Sequence, residues 1–391
     1  MVYPGVRRTF KMKTMVIIMK KTTLVLTLII ALVLSLSLVS CDINNLFETS
    51  EATSPETTEA TAPETSEDEH LGDPYYSSEF TKGLLFRLDK NDNTYYIYNF
   101  YGKETTEVII PRIYKGCYVT AIGKDVFKDY TDIVSVSLPD TLTYIGDSAF
   151  ENCSSLTKVN LPDGLLYIGK SAFKGCSKFT SFVVPPNVTY IGEGAFNGFS
   201  NLESIVLPFI GLNYGIPGQY KYANSLGIIF GRTKYDNSVK TTQYVRLDSI
   251  ISTYHYYLPK KLKSVTILGG EIPYGAFHNC SRLENIILPE DITAIAPYSF
   301  NGCSSLTSFT IPDGVTDIGA AAFYDCYNIK SINIPNGVSR ICSIAFKNCT
   351  DLTNINFDGT MEEWENIYKF DDWDDKTGNY TVYCSDGNIS K

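Results

Sequence analysis

The fold is decided by a unit near the end of the chain that reads Leu306-Thr-Ser-Phe-Thr-Ile-Pro-Asp-Gly-Val-Thr-Asp-Ile-Gly and then Ala321-Ala-Phe323-Tyr-Asp-Cys326. The following unit, from Ile329 to Cys349, repeats nearly the same pattern. The Ala-Phe centres recur every 23 residues in two series, Phe127, Phe150, Phe173 and Phe196, then Phe277, Phe300, Phe323 and Phe346. A fixed period of this length predicts a solenoid in which each repeat forms one coil stacked on the next.

Each repeat opens with a segment that predicts a short β-strand. In the unit at Leu306 the first, fourth and sixth residues are apolar, and the last two alternate as in a strand with one buried face. A proline ends the strand because it has no N–H to donate to a neighbour. A second short strand then reaches Ile-Gly, and a brief helical turn is expected to carry Ala-Phe into the core. We therefore expect parallel coils about 4.8 Å apart.

The N-terminal 41 residues have the layout of a secretory signal. They contain six basic and no acidic residues, and an apolar run from Thr22 to Val39 ends at Ser40-Cys41. Leu38-Val39-Ser40-Cys41 resembles the lipobox of bacterial lipoproteins, which implies that Cys41 carries a lipid and anchors the exported protein to the membrane. The alternative is an uncleaved membrane helix, because the run is about long enough to span a bilayer.

Residues 42–80 are predicted to be a disordered tether. Thr, Glu, Ser and Pro dominate this segment, and no Lys or Arg occurs between Cys41 and Lys82. The chain has a net charge of −10, and outside residues 1–41 its 27 basic residues face 43 acidic ones. This acidic balance argues against binding of nucleic acid or an anionic membrane through nonspecific charge.

The remaining chain divides where the 23-residue rhythm begins, breaks and ends. We expect an N-terminal β cap at 81–111, repeat blocks at 112–208 and 262–357, and a C-terminal cap at 358–391 with a short helix after Thr360. The blocks flank a tyrosine-rich insert at 209–261, which is too long to be a structureless loop in a compact array.

Six cysteines occupy one position of the repeat, three residues after the phenylalanine: Cys153, Cys176, Cys280, Cys303, Cys326 and Cys349. An even number in an exported chain invites disulfides. Their common phase instead predicts a ladder of free, buried thiols whose parallel side chains are poorly aimed for bridging.

Candidate catalytic and metal-binding residues are scarce. The three histidines, His70, His255 and His278, are scattered, so no catalytic triad or metal-His set can be assembled. Asp371-Asp-Trp-Asp-Asp375 could hold Ca²⁺, but a solvated loop is favoured. We expect no enzyme, no metal and no cofactor.

The outward strand positions offer a candidate ligand site. Most of them are small and polar, but Val183, Val206 and Ile287 are apolar and flank the insert. We hypothesise that the insert folds over these three residues and brings Tyr254, Tyr256 and Tyr257 into a mixed patch that binds a ligand, because tyrosine offers large contact area at low entropy cost. The equally weighted alternative is that the insert packs there as a structural lid.

Residues 84–391 resemble the BspA-like leucine-rich-repeat surface proteins, whose 23-residue unit has the form Leu-x-x-Ile-x-Ile-Pro…Ile-Gly…Ala-Phe-x-x-Cys. The resemblance implies a leucine-rich-repeat solenoid with a parallel sheet on its concave face, short strands and helical turns on the other side, and caps at both ends. It also implies extracellular binding of protein or glycan ligands, among them host matrix proteins. The alternative is a structural protein that binds the cell's own wall or other surface proteins.

Overall fold

The computed structural model of the protein describes residues 80–102, 104–212, 225–247 and 250–391. The predicted signal sequence, Cys41 and the predicted tether up to residue 79 lie outside the described residues. Within the described part, no helix has the length and apolar character that a membrane span requires.

The described chain is built almost entirely from very short strands. Its helices are a 3₁₀ helix at Leu226–Phe230 and an α-helix, α1, at Met361–Asn366. In chain order the strands are β1 (Leu84–Asp89), β2 (Thr94–Phe100), β3 (Glu107–Ile109), β4 (Ile113–Tyr114), β5 (Cys117–Ile122), β6 (Ser135–Ser137), β7 (Tyr144–Ile145), β8 (Lys158–Val159), β9 (Tyr167–Ile168), β10 (Ser181–Val183), β11 (Tyr190–Ile191), β12 (Ser204–Leu207), β13 (Ser238–Leu247), β14 (Ile250–Pro259), β15 (Ser264–Ile267), β16 (Asn285–Ile287), β17 (Ala294–Ile295), β18 (Ser308–Thr310), β19 (Asp317–Ile318), β20 (Ser331–Ile334), β21 (Arg340–Ile341), β22 (Asn354–Phe357), β23 (Tyr368–Lys369), β24 (Thr381–Cys384) and β25 (Gly387–Ser390).

The strands stack into two parallel ladders, as the repeat predicts. The first ladder contains the opening strands of the coils and runs through β3-β6-β8, β10-β12-β15-β16 and β18-β20-β22-β24. The second ladder contains the second strands of the coils and runs through β5-β7-β9-β11 and β17-β19-β21-β23. Strand partners are one repeat apart, as in Ser308 with Ser331 and Ser331 with Asn354. The predicted leucine-rich-repeat solenoid is therefore confirmed.

The expected helical turn around each Ala-Phe is not a helix. The residues two before and two after the phenylalanine have positive φ, for example 53° at Ser148 and 63° at Asn152 around Phe150. Left-handed residues interrupt right-handed helical hydrogen bonding, so each phenylalanine lies between two tight turns. The rings still enter the core and stack coil on coil, with centroids 5.1 Å apart for Phe127 and Phe150 and 5.2 Å for Phe323 and Phe346.

The six repeat cysteines are free and buried, which confirms their prediction. Five of them donate a thiol hydrogen bond to the phenylalanine carbonyl of the preceding coil, as in Cys153 to Phe127 at 3.0 Å and Cys349 to Phe323 at 3.2 Å. The sixth, Cys280, instead has its sulfur 3.3 Å from the side-chain amide of Gln243. Burial raises the pKa of all six thiols.

The insert does not interrupt the solenoid, because part of it completes a coil. Residues 209–212 are buried, and the Leu212 carbonyl accepts from the Ile191 N–H of the second ladder at 2.9 Å. The 3₁₀ helix then replaces the Ala-Phe turn: Ile229 O accepts from Phe196 N at 2.9 Å, as Ala195 O does from Phe173 N. The predicted boundary at 209 therefore does not mark the end of the repeat core.

Aromatic side chains cover both ends of the ring stack. At the N-terminal end, Phe100 of β2 lies 5.2 Å from Phe127, and β2 pairs in parallel with β5. At the other end, Trp373 meets Phe346 edge-on at 5.8 Å. Helix α1 begins after Thr360, as predicted, with a capping box in which Thr360 and Glu363 exchange hydrogen bonds.

Candidate functional site

The first ladder carries a row of apolar side chains on its outward face. The register places Val183 beside Val206, Val206 beside Thr266, and Thr266 beside Ile287. Val183 is 60% exposed and Ile287 is 50% exposed, which is high for apolar side chains. We call these four residues the apolar row. The structure thus brings the three predicted strand residues together and adds Thr266, which was missed because its repeat is irregular.

Polar side chains border the apolar row. Two residues earlier on the same strands, Ser181, Ser204, Ser264 and Asn285 form a parallel uncharged row. One residue before that row, Lys263 and Glu284 form an ion pair at 2.9 Å. An apolar centre with a polar rim is the arrangement found in protein interfaces.

The predicted tyrosines lie on a separate element, the antiparallel hairpin of β13 and β14. Tyr256 is 1% exposed and packs so closely on the 3₁₀ helix that a Cβ at Gly227 would lie 2.6 Å from the Tyr256 Cβ. Tyr254, on the same hairpin face, lies under the Arg232 guanidinium, which is 4.6 Å from its ring centroid. The side chain of Tyr257, the next residue, points to the opposite face of β14 and is half-buried.

The described part of the insert does not fold over the apolar row. Its anchoring contacts run to the turn side of the coils, at Phe196 and Ala276, whereas Val183 and Ile287 stay exposed on the first ladder. The hypothesis of one mixed patch is therefore wrong for these residues. The tyrosines lie apart from the apolar row because side chains alternate between the two faces of β14. This alternation points Tyr254 and Tyr256 toward the coil that the 3₁₀ helix completes.

A buried polar cluster holds the hairpin on the second block. The side chain of Gln243 is fully buried, accepts from Gly227 N at 2.8 Å and donates to His278 O at 3.1 Å. The carbonyl of Thr242 accepts from Asn279 Nδ2 at 2.9 Å and lies 3.0 Å from His278 Nδ1. Burial lowers the pKa of His278. Gln243 and His278 are thus structural partners that sequence reasoning did not find, since their contact joins segments 35 residues apart.

Three of the four aspartates at 371–375 are engaged in protein contacts. Asp374 accepts from the Tyr380 hydroxyl at 2.6 Å, Asp375 pairs with Lys347 at 2.8 Å, and Asp372 accepts from Ser343 at 2.8 Å. Among the residues described, no group of three or more His, Cys, Asp or Glu side chains is placed to hold a metal ion.

The repeat model of one family matches most of the solenoid. It is described as the BspA type leucine rich repeat region, and six copies match residues 93–222 and 249–371. The chain belongs to the BspA-type leucine-rich-repeat family. The match covers both repeat blocks and leaves out residues 223–248, which include the 3₁₀ helix and all of β13.

Solved structures of bacterial leucine-rich-repeat proteins are also similar to this BspA-type chain. A leucine rich cell surface protein of Faecalibacterium prausnitzii is 26% identical, with 74% of this chain and 97% of that one covered and a TM-score of 0.30. A leucine-rich repeat protein of Bacteroides ovatus is 20% identical, with 78% and 100% covered and a TM-score of 0.27. The pneumococcal vaccine antigen PcpA is 17% identical, with 75% and 82% covered and a TM-score of 0.27. The fold assignment rests on the family match and the strand register, because these TM-scores are low.

No curated protein matches the BspA-type chain.

Proposed function

We propose that this protein is a non-enzymatic, adhesin-like binding protein, exported and anchored at the bacterial cell surface by a lipid on Cys41, and that it captures an extracellular protein. The family match supports a binding role, since solenoids of stacked repeats present extended surfaces to their ligands. The signal-like N-terminus supports export.

The apolar row is the observation that carries this proposal. Val183, Val206 and Ile287 stand in register with Thr266, beside a row of the small polar residues Ser181, Ser204, Ser264 and Asn285 on the same four strands. Exposed apolar side chains clustered within a polar rim mark interaction sites, whereas single exposed ones are ordinary. The row contains no ionisable group, so contact with it depends on shape and on apolar burial. These properties suit a protein ligand.

The test is a pull-down with the full chain, purified in mild detergent, against host extracellular matrix proteins and against bacterial envelope fractions. The double variant Val183→Ser/Ile287→Ser should lose capture of the matrix protein. Burial of two such side chains is worth roughly 3 kcal/mol at most, or about a hundredfold in affinity. The matched control is Val134→Ser/Leu166→Ser, which changes two other exposed apolar residues, 41% and 42% exposed, and should bind as the unaltered chain does.

Equal capture by the row variant and the unaltered chain would contradict this site. Capture of envelope material alone would instead favour the alternative role, a structural protein that binds the cell's own wall or other surface proteins.

A further inference from the structure

The insert has the opposite charge to the rest of the protein. Residues 209–261 contain seven basic and two acidic residues, a balance of +5, in a chain whose net charge is −10. Averaging over the whole sequence hides this local excess. For five of the seven basic residues, Arg232, Lys234, Lys240, Lys260 and Lys261, the structure shows whether the charge is exposed or paired.

Two of the cations in and beside the insert are paired with carboxylates. Arg232 pairs with Glu193 at 3.2 Å and Lys263 with Glu284 at 2.9 Å. In contrast, Lys234, Lys240, Lys260 and Lys261 are exposed and form no ion pair within the described part of the chain. Lys261 donates only to the neutral Asn201 Oδ1, at 2.9 Å. The positive charge of these four residues is therefore available to a ligand.

The hairpin register gathers three of these lysines at its base. Lys240 lies opposite Tyr257, and Ser238 lies opposite Pro259, the residue directly before Lys260 and Lys261. The backbone of Lys260 is fixed by its N–H, which donates to Asn237 O at 2.8 Å. Lys240 and Tyr257 alternate with the buried Thr241 and Tyr256, so they share the outward face of the hairpin. We call Lys240, Tyr257, Lys260 and Lys261 the basic hairpin surface.

We propose that the basic hairpin surface binds an anionic polysaccharide that carries sulfate and carboxylate groups. The lysine ammonium groups attract the anionic substituents, and the half-buried Tyr257 ring offers a flat apolar face to the C–H face of a sugar. This is a second site, formed by other residues than the apolar row and independent of the proposed protein ligand.

The charge distribution favours a polysaccharide over a nucleic acid. A stiff duplex that reaches the hairpin also meets the acidic remainder of the chain, where repulsion opposes binding. A flexible polysaccharide chain can follow the basic hairpin surface alone. Because the lysines are exposed, the attraction is screened at physiological salt, and binding weakens as salt rises.

Binding of the full chain to immobilised heparin, at about 50 mM and about 200 mM salt, tests this proposal. The variant Lys240→Ser/Lys260→Ser/Lys261→Ser should bind roughly tenfold more weakly, or worse, since it loses three lysine–anion contacts of the kind that dominate polyanion binding. The matched control Lys158→Ser/Lys170→Ser/Lys178→Ser removes three exposed lysines of the first block and the same net charge, and should bind as the unaltered chain does. All substituted residues are exposed, so both variants should keep the unfolding temperature of the unaltered chain.

Three outcomes would overturn the proposal. Equal loss in the control variant would show that only net charge matters, and equal binding of neutral dextran would show that charge does not matter; either result overturns the proposal. Tighter binding of duplex DNA or of a phosphate-rich wall polymer than of heparin would also overturn it.

Discussion

Gly169 shows why most regular repeats end their second strand in Ile-Gly, although Ala296 and Cys342 occupy this position in two coils of the second block. A Cβ placed on Gly169 would lie 2.4 Å from the backbone nitrogen of Asp147 and 2.5 Å from the backbone carbon of Gly146, in the neighbouring coil. The backbone of Gly169 does not need positive φ, so the requirement is space alone. The coils around Gly169 approach this closely because no side chain separates them there.

We expect Gly169→Ala to lower the free energy of unfolding by roughly 2 kcal/mol, because the added methyl group pushes two backbones apart in a close-packed core. Gly337→Ala is the matched control, since Gly337 is exposed and its nearest contact would be an ordinary 3.4 Å. Urea unfolding of both variants measures the difference. Equal stability of the two variants would show that the coils are not held at this distance.

At the scale of one element, the β13–β14 hairpin is held by a histidine in a buried, uncharged setting. The His278 ring packs against Tyr244, with centroids 3.9 Å apart, and Tyr244 meets Tyr298 edge-on. The other groups facing the ring are the Thr242 carbonyl and Asn279. No carboxylate within the described residues lies against it to stabilise an imidazolium.

Acid should therefore weaken the attachment of the hairpin. Burial lowers the pKa of His278 below its unfolded value, so the unfolded chain binds a proton more readily. The stabilisation is complete above the unfolded pKa of about 6.5 and is lost as the pH falls through the folded pKa. Between about pH 7.5 and pH 5, the His278→Gln variant should lose less of its free energy of unfolding than the unaltered chain does. Thermal melts at the two pH values measure the difference. His255→Gln, at an exposed position, should keep the full loss.

At the scale of the whole molecule, the two repeat blocks form one continuous array. β12 pairs directly with β15 across the insert, from Ser204 with Ser264 to Leu207 with Ile267. The 3₁₀ helix completes the joining coil, and Phe230 is fully buried there. Because each coil is stabilised mainly by its neighbours, a complete joint couples the two blocks during unfolding.

Calorimetry of the full chain should show one unfolding transition for the solenoid. Phe230→Ala should lower the free energy of unfolding by about 3–5 kcal/mol at the joint, and it should broaden the transition or split it in two. Phe370→Ala is the control, because Phe370 is 39% exposed and lies outside the joint. Two resolved transitions in the unaltered chain would contradict the coupling of the blocks.

The sequence by itself determined the solenoid, the strand positions, the buried cysteine ladder and the helix after Thr360, because each depends on a local pattern that recurs with the repeat. The turn around each phenylalanine was wrongly predicted to be helical. Residue types such as those of Ser148, Ala321 and Ile344 give no indication of the left-handed conformation that they adopt.

Only the tertiary structure decided the role of the insert. Its Leu226–Phe230 segment resembles no repeat, yet it fills the turn of an interrupted coil, and Gln243 joins it to a coil 35 residues further on through buried hydrogen bonds. Likewise, Thr266 joins the apolar row through strand register, and Lys240 is placed opposite Tyr257 through a hairpin pairing. These contacts depend on which distant segments meet, and a repeat period specifies only neighbours that are one period apart.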